Sequence, residues 1–555
     1  MKIMTKENTF SVVTADGTAG VFLKPARLTE VLSYFQPDRS FSIALAKVGH
    51  ALRSLNETID SDCRIDWVPL DSPAGRLARQ ATLILILTRA AAERAPGLRL
   101  IVDHSIGRGR GLYCELRPAP LFQPWTVRQI RKRMAEIIGK AEPVEPVVLT
   151  EAELNAFLEQ RGETAAWHPV PGTGPAVLYR SGGVMEYLGM PLLHETSAVG
   201  VFDLVPWKKG MILRFPDGEG REPLPPFIPD RRLFRVFQEF GEWEAIQGVE
   251  TARDLNRIAA DGGVSDLIKI AESLHEKKIA FLADRIQRRR KRIVFIAGPS
   301  SSGKTTFTKR LNIQLRVNGL RPLMVSMDDY FLNRDRTPLG EDGRPDYESV
   351  TALDVPRLCA DLAALLEGRA VRLPRYDFLT GKGTDGPETR LVPEQPVLIE
   401  GLHGMNDAVS AGLSRKKIFR IYDSALTQLN LTDRLRVSTS DIRFMRRMVR
   451  DAQFRNHTAA DSLAAWPLVR RGEDRYIFPF QENADAVFNS ALLYEPGVLR
   501  VFAEPLLSSI PKEHPEYPEA GRLLGLLLSF TAIPADEVPR TSILREFIGG
   551  SGFKY

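Results

Sequence analysis

Eight consecutive residues, Gly298-Pro299-Ser300-Ser301-Ser302-Gly303-Lys304-Thr305, satisfy the pattern G-x-x-x-x-G-K-[ST] in full, and Thr306 follows them. Glycines at both ends let backbone N–H groups curl around phosphate oxygens, and a helix beginning there adds the positive end of its dipole. Lys304 is placed to reach β- and γ-phosphates, and the Thr305 hydroxyl to ligate Mg²⁺, so the pattern specifies binding of ATP or a similar nucleotide.

Phosphate binding alone leaves kinases, ATPases and GTPases open, and downstream acids and bases must choose between them. An apolar run, Pro322-Leu-Met-Val-Ser-Met, ends in Asp328-Asp329-Tyr330-Phe331. A carboxylate at the tip of the strand neighbouring the P-loop strand can accept the proton of an acceptor hydroxyl, which makes Asp328 the candidate general base. A second run, Val397-Leu-Ile-Glu400-Gly401, ends in an acid suited to holding Mg²⁺ directly or through water. Arg443, Arg446, Arg447, Arg450 and Arg455 recur at helical spacing around Asp441 and Asp451. Like charges this dense repel on a helix, which favours a lid facing phosphate. The guanine-reading pattern [NT]-K-x-D is missing where a GTPase would carry it.

These residues need elements to hold them. Arg292-Ile-Val-Phe-Ile-Ala is apolar and β-rich, suiting the central strand of a parallel sheet, and a helical stretch from Phe307 to Val317 follows the loop. Strand, loop and helix therefore come in the order that a phosphate-binding loop requires. Earlier, short apolar stretches alternate with turn residues over the first 70 positions or so, with a helix near Arg27 to Phe35; the dense apolar run Gly75 to Arg94 predicts a buried helix, and Leu98-Arg-Leu-Ile-Val a strand. Glu142-Pro-Val-Glu-Pro and Glu222-Pro-Leu-Pro-Pro-Phe read as linkers, and helical spacing returns from Asp254 to Gln287 ahead of the basic run Arg288 to Arg292, read as a solvated helix end.

At 555 residues and 43% hydrophobic content the chain has material for several packed cores. Its apolar runs are too short to cross a bilayer, and Met1-Lys-Ile-Met-Thr-Lys-Glu-Asn does not read as a secretory leader, so a cytoplasmic protein is expected. Cys63, Cys114 and Cys359 are too scattered for a disulfide framework or a metal pair and are expected to be buried small hydrophobes. A net charge of +6 over this length is met by anionic small molecules without nucleic acid.

From about Arg292 to Glu495 the chain resembles the uridine kinase and phosphoribulokinase family of P-loop kinases. The resemblance implies a catalytic aspartate at Asp328. Asp346-Tyr-Glu-Ser-Val-Thr-Ala-Leu-Asp354 is similar to the family's ribose-binding segment, which puts Glu348 at the sugar hydroxyls. Leu373-Pro-Arg-Tyr376-Asp377-Phe378 is similar to its P-x-Y-D-F stretch, which implies substrate contacts for Tyr376 and Asp377. Arg446-Arg447-Met-Val-Arg450-Asp451 is similar to its lid helix, which implies phosphate contacts for Arg447 and Arg450. Thr380-Gly381-Lys382 stands where uridine kinases carry a base-reading histidine, and Glu348 where an aspartate is usual.

The N-terminal half is similar to the start of threonyl-tRNA synthetases. Ile43 to Leu55 and Asp62-Cys-Arg-Ile-Asp-Trp resemble their β-grasp TGS module, and Ser72 to Glu115 their editing domain. Ala81 and Leu85 occupy the positions of the editing H-x-x-x-H pair, so that chemistry is not expected, and His104 is expected to be a structural loop residue. The implied fold is α/β: a P-loop NTPase kinase domain (291–555) with a parallel sheet and flanking helices, preceded by a TGS-like β-grasp module (1–70), an α+β editing-like domain (71–230) and a helical connector (231–290). The implied function is phosphate transfer from ATP, with Mg²⁺, to a hydroxyl of a small acceptor such as uridine, in a homo-oligomer without a membrane partner. A non-nucleoside polyol as acceptor, or an ATP-gated protein associated with RNA or tRNA through Arg288 to Arg292, are the alternatives.

Overall fold

A computed structural model describes residues 8–36, 42–106, 111–118, 123–162, 176–216, 223–228, 230–340, 343 and 345–555. The leader reading at Met1–Glu7 and the stretches that include Phe41, Gly107–Gly109 and Glu222 fall wholly or partly outside them.

Five strands in the C-terminal half form one sheet in the spatial order Leu323–Ser326, Val397–Glu400, Ile293–Ala297, Ile418–Ser424, Ala486–Asn489, every neighbouring pair parallel. All five residues of Ile293–Ala297 are buried, as expected of a central strand covered on both faces. Register decides the chemistry at its end. Ile296 pairs with Glu400, and Glu400 pairs with Ser326, so the acid and the turn carrying Asp328 emerge beside the loop that follows Ala297. The strand preceding Asp328 is therefore the sheet edge, with the Glu400 strand between it and the P-loop strand.

The P-loop helix, Lys304–Val317, begins three residues earlier than its periodicity suggests, because Gly303 supplies its N-cap at φ 105°. Against it packs the helix Val264–Arg288. Leu267, Ile268, Ile279, Leu282 and Ile286 share one apolar core with Val294, Ile296, Phe307, Leu311 and Leu315. The stretch expected as a connector thus ends in a helix built into the core behind the P-loop, preceded by helices Arg231–Gln247 and Ala252–Ala260. Arg288, Arg289 and Arg290 at its end are exposed.

Among the described residues, the chain ahead of these helices forms four further sheets, the smallest pairing Ala26–Arg27 with Thr58–Ile59. A five-stranded sheet in the order Ala19–Leu23, Thr9–Thr14, Cys63–Pro69, Ile43–Val48, Ala51–Ser54 pairs its first and last long strands in parallel and packs against the helix Leu28–Phe35. The helix Pro73–Arg94, capped by Ser72, then lies under an antiparallel sheet of Asp203–Trp207, Gly210–Arg214, Gly111–Arg117 and Arg99–Ile106. Three expectations are corrected here. Pro146, read within a linker, lies in the strand Glu145–Leu149, paired with Ala176–Ser181. His104 sits in a strand, almost wholly buried, its ring stacked 4.0 Å from that of Phe237. Cys114 alone is buried; Cys63 and Cys359 are half-buried.

The two halves are joined by polar contacts. Arg99 Nη2 and Nε donate to the Asp433 carboxylate at 2.7 and 2.9 Å, the Val102 amide donates to the Asp433 carbonyl at 2.8 Å, and Asn430 Nδ2 donates to the Val102 carbonyl at 3.0 Å. Among the described residues, no helix is long and apolar enough to cross a membrane.

Candidate active site

The loop between Ala297 and Lys304 is held from several sides. Lys304 Nζ donates to the Gly298 and Pro299 carbonyls at 3.0 Å each. The Ser300 amide donates to Glu473 Oε1 at 2.9 Å, and Ser302 Oγ donates to Asp423 Oδ2 at 3.0 Å. Gly298 has no room for a side chain, since a Cβ there would stand 1.8 Å from the Asp423 carbonyl oxygen. Ser301 adopts a left-handed φ of 57°, and its buried hydroxyl has no hydrogen-bond partner among the described residues. A buried unsatisfied hydroxyl at the bend of such a loop suits a phosphate oxygen.

Beside the helix start, Thr305 Oγ1 donates towards both Glu400 oxygens at 3.2 Å. Burial pushes the Glu400 carboxyl up to about 7; Lys304 opposes that, and the Asp328 and Glu546 carboxylates add to it. A hydroxyl and an acid short of positive charge fit Mg²⁺. Three protein carboxylates are not required, because Mg²⁺ takes most of its oxygens from water and phosphate. No cluster of three His, Cys, Asp or Glu side chains suited to a metal occurs among the described residues.

Asp328 stands in a 3₁₀ turn capped by Ser326. Burial raises its carboxyl above the usual range, with Lys304 and Arg455 pulling the other way and Asp329 adding to the rise. Glu348 packs against Gly472. Its Cβ would lie 2.7 Å from a side chain on Gly472, and burial pushes its carboxyl up to about 7, with Glu473 adding and Arg447 and Lys304 opposing. Lys304, Glu400, Asp328 and Glu348 thus share one electrostatic neighbourhood.

The arginine helix, Thr439–Phe454, divides its labour in a way its periodicity does not show. Arg443 and Arg446 are wholly buried and do not face a ligand, which corrects the reading of all five as a lid. Arg443 Nη2 donates to Glu473 Oε2 at 2.8 Å and its Nη1 to the Ser300 carbonyl at 3.0 Å. Arg446 Nη2 donates to Glu495 Oε2 at 2.7 Å and its Nη1 to the Ser302 carbonyl at 2.9 Å. Both brace the loop from behind. Arg447 reaches its front, donating to Ser300 Oγ at 2.9 Å. Arg450 and Arg455 gather with Arg447 on the buried Asp451 carboxylate.

Tyr376 lies buried in an aromatic group with Phe331 and Phe378, ring centroids 5.7 and 5.1 Å away, and its amide donates to Asp329 Oδ1 at 3.2 Å. Asp377 is not brought to the cluster by its side chain. Its carboxylate closes the turn of the hairpin Val371–Asp377/Lys382–Thr389, accepting from the Leu379 amide at 2.9 Å and the Thr380 hydroxyl at 3.0 Å. Residues that sequence reasoning missed are Asp423, Glu473, Glu495 and Glu546, each binding the loop, its helix or the arginines behind it. Asp423, Glu473 and Glu495 sit outside the sequence motifs, and Glu546 lies in the tail segment Ser542-Ile-Leu-Arg-Glu-Phe; a histidine, His403, follows the Glu400 strand, buried near Tyr476, and burial lowers it to about 4.

Residues 293–492 match the phosphoribulokinase / uridine kinase family. That stretch is a domain of this family. The protein is a P-loop kinase, transferring phosphate from ATP to a small-molecule acceptor, and kinases of this family use ATP with Mg²⁺. Uridine kinase of Deinococcus deserti is 27% identical over 207 residues, covering 37% of this chain and 91% of its own length. Uridine kinase of Chloroflexus aggregans is 29% identical over 197 residues, 35% of this chain and 85% of its own. D-glycerate 3-kinase from Cryptococcus neoformans aligns over 46% of this chain and 88% of its own, at 16% identity and a TM-score of 0.23. Residues 1–292 and 493–555 of this kinase lie outside the family match.

Proposed function

We propose that the kinase phosphorylates a hydroxyl of a nucleoside, uridine being the first acceptor to test, with Asp328 as general base. The observation that carries this reading is the Asp328 carboxylate, raised by burial and held in the field of Lys304, beside the Thr305–Glu400 pair. Asp328 accepts the acceptor's proton as its oxygen bonds to the γ-phosphorus; the bond from that phosphorus to the β,γ-bridging oxygen breaks, and ADP leaves with the electron pair. Lys304 and Arg447, the latter directed by Ser300, hold the γ-phosphate, with Arg450 at the rim. Thr305 and Glu400 would hold Mg²⁺, which neutralises charge on the phosphates. Glu348 would bind sugar hydroxyls and Tyr376 flank the base, while Asp377 shapes the hairpin around them.

The site residues are supported by shared geometry, and the nucleoside by the names of the relatives. Thr380-Gly381-Lys382 at the hairpin tip favours a second reading, an acceptor polyol without a pyrimidine. The proposal extends to a β-grasp module at 1–70, an α+β domain at 71–230 and helices at 231–290 before the kinase domain, to a homo-oligomer, and to a cytoplasmic location supported by three free cysteines.

The test is a coupled assay of ADP release with purified protein and a panel of nucleosides, sugars and glycerate. ATP consumption that depends on one nucleoside and falls with D328N supports the proposal. Dependence on a non-nucleoside polyol establishes the second reading, and an acceptor-independent rate unaffected by D328N rejects both.

A further inference from the structure

A carboxylate already occupies the start of the P-loop helix. The first-turn amides of an α-helix have no partner inside it and are available to anions. The Thr306 amide is taken: it donates to Glu546 Oε2 at 3.0 Å, and the Thr306 hydroxyl donates to the same oxygen at 2.7 Å. Glu546 comes from a segment 240 positions further along the chain. Tyr555 from the same segment places its hydroxyl 2.7 Å from Thr306 Oγ1, and its ring lies 4.0 Å beneath Lys309 Nζ, which also donates to the Lys554 carbonyl.

This segment is fixed in the core beside the loop. Ile543, Leu544 and Phe547 are fully buried. A Cβ on Gly303 would lie 2.4 Å from Ile543 Cγ2, and the Arg446 guanidinium covers the Phe547 ring at 5.1 Å. Arg545 Nη2 donates to the Ala535 and Val538 carbonyls at 2.6 and 2.8 Å. The backbone around Glu546 is therefore held, while its half-buried side chain retains its own rotamers. It also lies near Glu400 and Asp423, whose carboxyls burial pushes up and Glu546 raises further, so the acid is placed at an electrostatic cost to its neighbours.

In a P-loop the backbone N–H groups cradle the α- and β-phosphates while the lysine reaches the β- and γ-phosphates, so an amide beyond Lys304 and Thr305, at Thr306, falls to the α-phosphate. We propose that Glu546 occupies the α-phosphate position of the nucleotide site and must swing away from Thr306 before ATP seats, so that segment 542–555 sets the affinity for nucleotide. This rests on the reading of Lys304 and its loop as the phosphate site.

The test is calorimetric titration of the full chain with the non-hydrolysable analogue AMP-PNP and Mg²⁺. E546Q keeps the shape and removes the charge; it is expected to tighten binding ~10-fold or more, the worth of a charge-assisted hydrogen bond returned to the ligand. E546D, whose carboxylate is drawn back from Thr306, is expected to tighten binding by a smaller factor and gives the same readout should E546Q fail to fold. Unchanged or weaker binding in these variants, with K304A still weakening it, overturns the proposal and leaves the P-loop reading intact. Equal binding by the parent and K304A overturns the P-loop reading itself, and the proposal with it.

Discussion

Thr305 Oγ1 stands 3.2 Å from each of the two Glu400 carboxylate oxygens, and sheet register puts it there. Thr305 opens the helix after the central strand, and Glu400 ends the neighbouring strand opposite Ile296. Neither distance nor pairing depends on a local motif.

Glu400 is expected to trade stability for function. Its folded-state carboxyl lies near 7, above the ordinary 4.5. Between these values the folded chain binds a proton that the unfolded chain has released, so stability falls as pH rises through this window. E400Q removes that penalty, up to about 3 kcal/mol, and is expected to raise the melting temperature at about pH 8 while leaving it unchanged below about pH 4.5. Mg²⁺-dependent transfer is expected to collapse in the same variant. Melting curves across pH, set beside rates against Mg²⁺ concentration, check both; equal melting at high pH sinks the claim.

D328N is expected to lower kcat by ~10²- to 10⁴-fold, the range for removing a general base, while nucleotide affinity stays within about threefold. Steady-state rates on the identified acceptor and AMP-PNP titration measure the two separately. Loss of nucleotide binding in D328N would instead give this residue a role in holding phosphate or metal.

Neighbouring arginines are expected to separate stability from activity. R446A leaves Glu495 buried without its partner and is expected to cost ~3–5 kcal/mol in denaturant unfolding. R447A leaves that core intact and leaves Asp451 paired with Arg450 and Arg455, so it is expected to cost less stability than R446A, yet to lose ~10²-fold or more in kcat/KM through the missing phosphate contact. A stable, inactive R446A would reverse the assignment of the two.

A fragment beginning at Ile293 contains every kinase motif but is expected to be insoluble. It lacks the helix Val264–Arg288, whose Leu267, Ile268, Ile279, Leu282 and Ile286 cover the P-loop strand and helix. At ~1.5–3 kcal/mol per buried aliphatic side chain, these five approach the whole stability of a domain. A fragment beginning at Arg231 is expected to fold. Circular dichroism melts of both decide it, and a cooperative transition in the shorter one would show that the helix is dispensable.

Much of the site was legible because it is local. The loop from Gly298 to Thr306 carries its strand, its turn and its helix within about twenty-five residues, and residue type at each position is tied to phosphate by backbone geometry. Asp328 and Glu400 were legible because each ends an apolar run, and parallel sheets gather the ends of their strands at one edge. The arginine helix is legible as a helix, but reading all five arginines as a phosphate-facing lid fails for Arg443 and Arg446. Spacing alone places Arg443 and Arg446 on the face next to Arg447, and it cannot tell that Glu473 and Glu495 wait there to bury them.

The sequence by itself determined that a phosphate-binding loop follows a buried strand, which acids stand at the neighbouring strand ends, and that arginines line a helix, because these follow from short-range pattern and backbone stereochemistry. Only the tertiary structure decided which arginines brace the loop and which face a ligand, that the helix before the loop belongs to its core, and that Glu546 rests on Thr306. Those facts depend on contacts between residues tens to hundreds of positions apart, which bring charged side chains to their partners only when the chain folds.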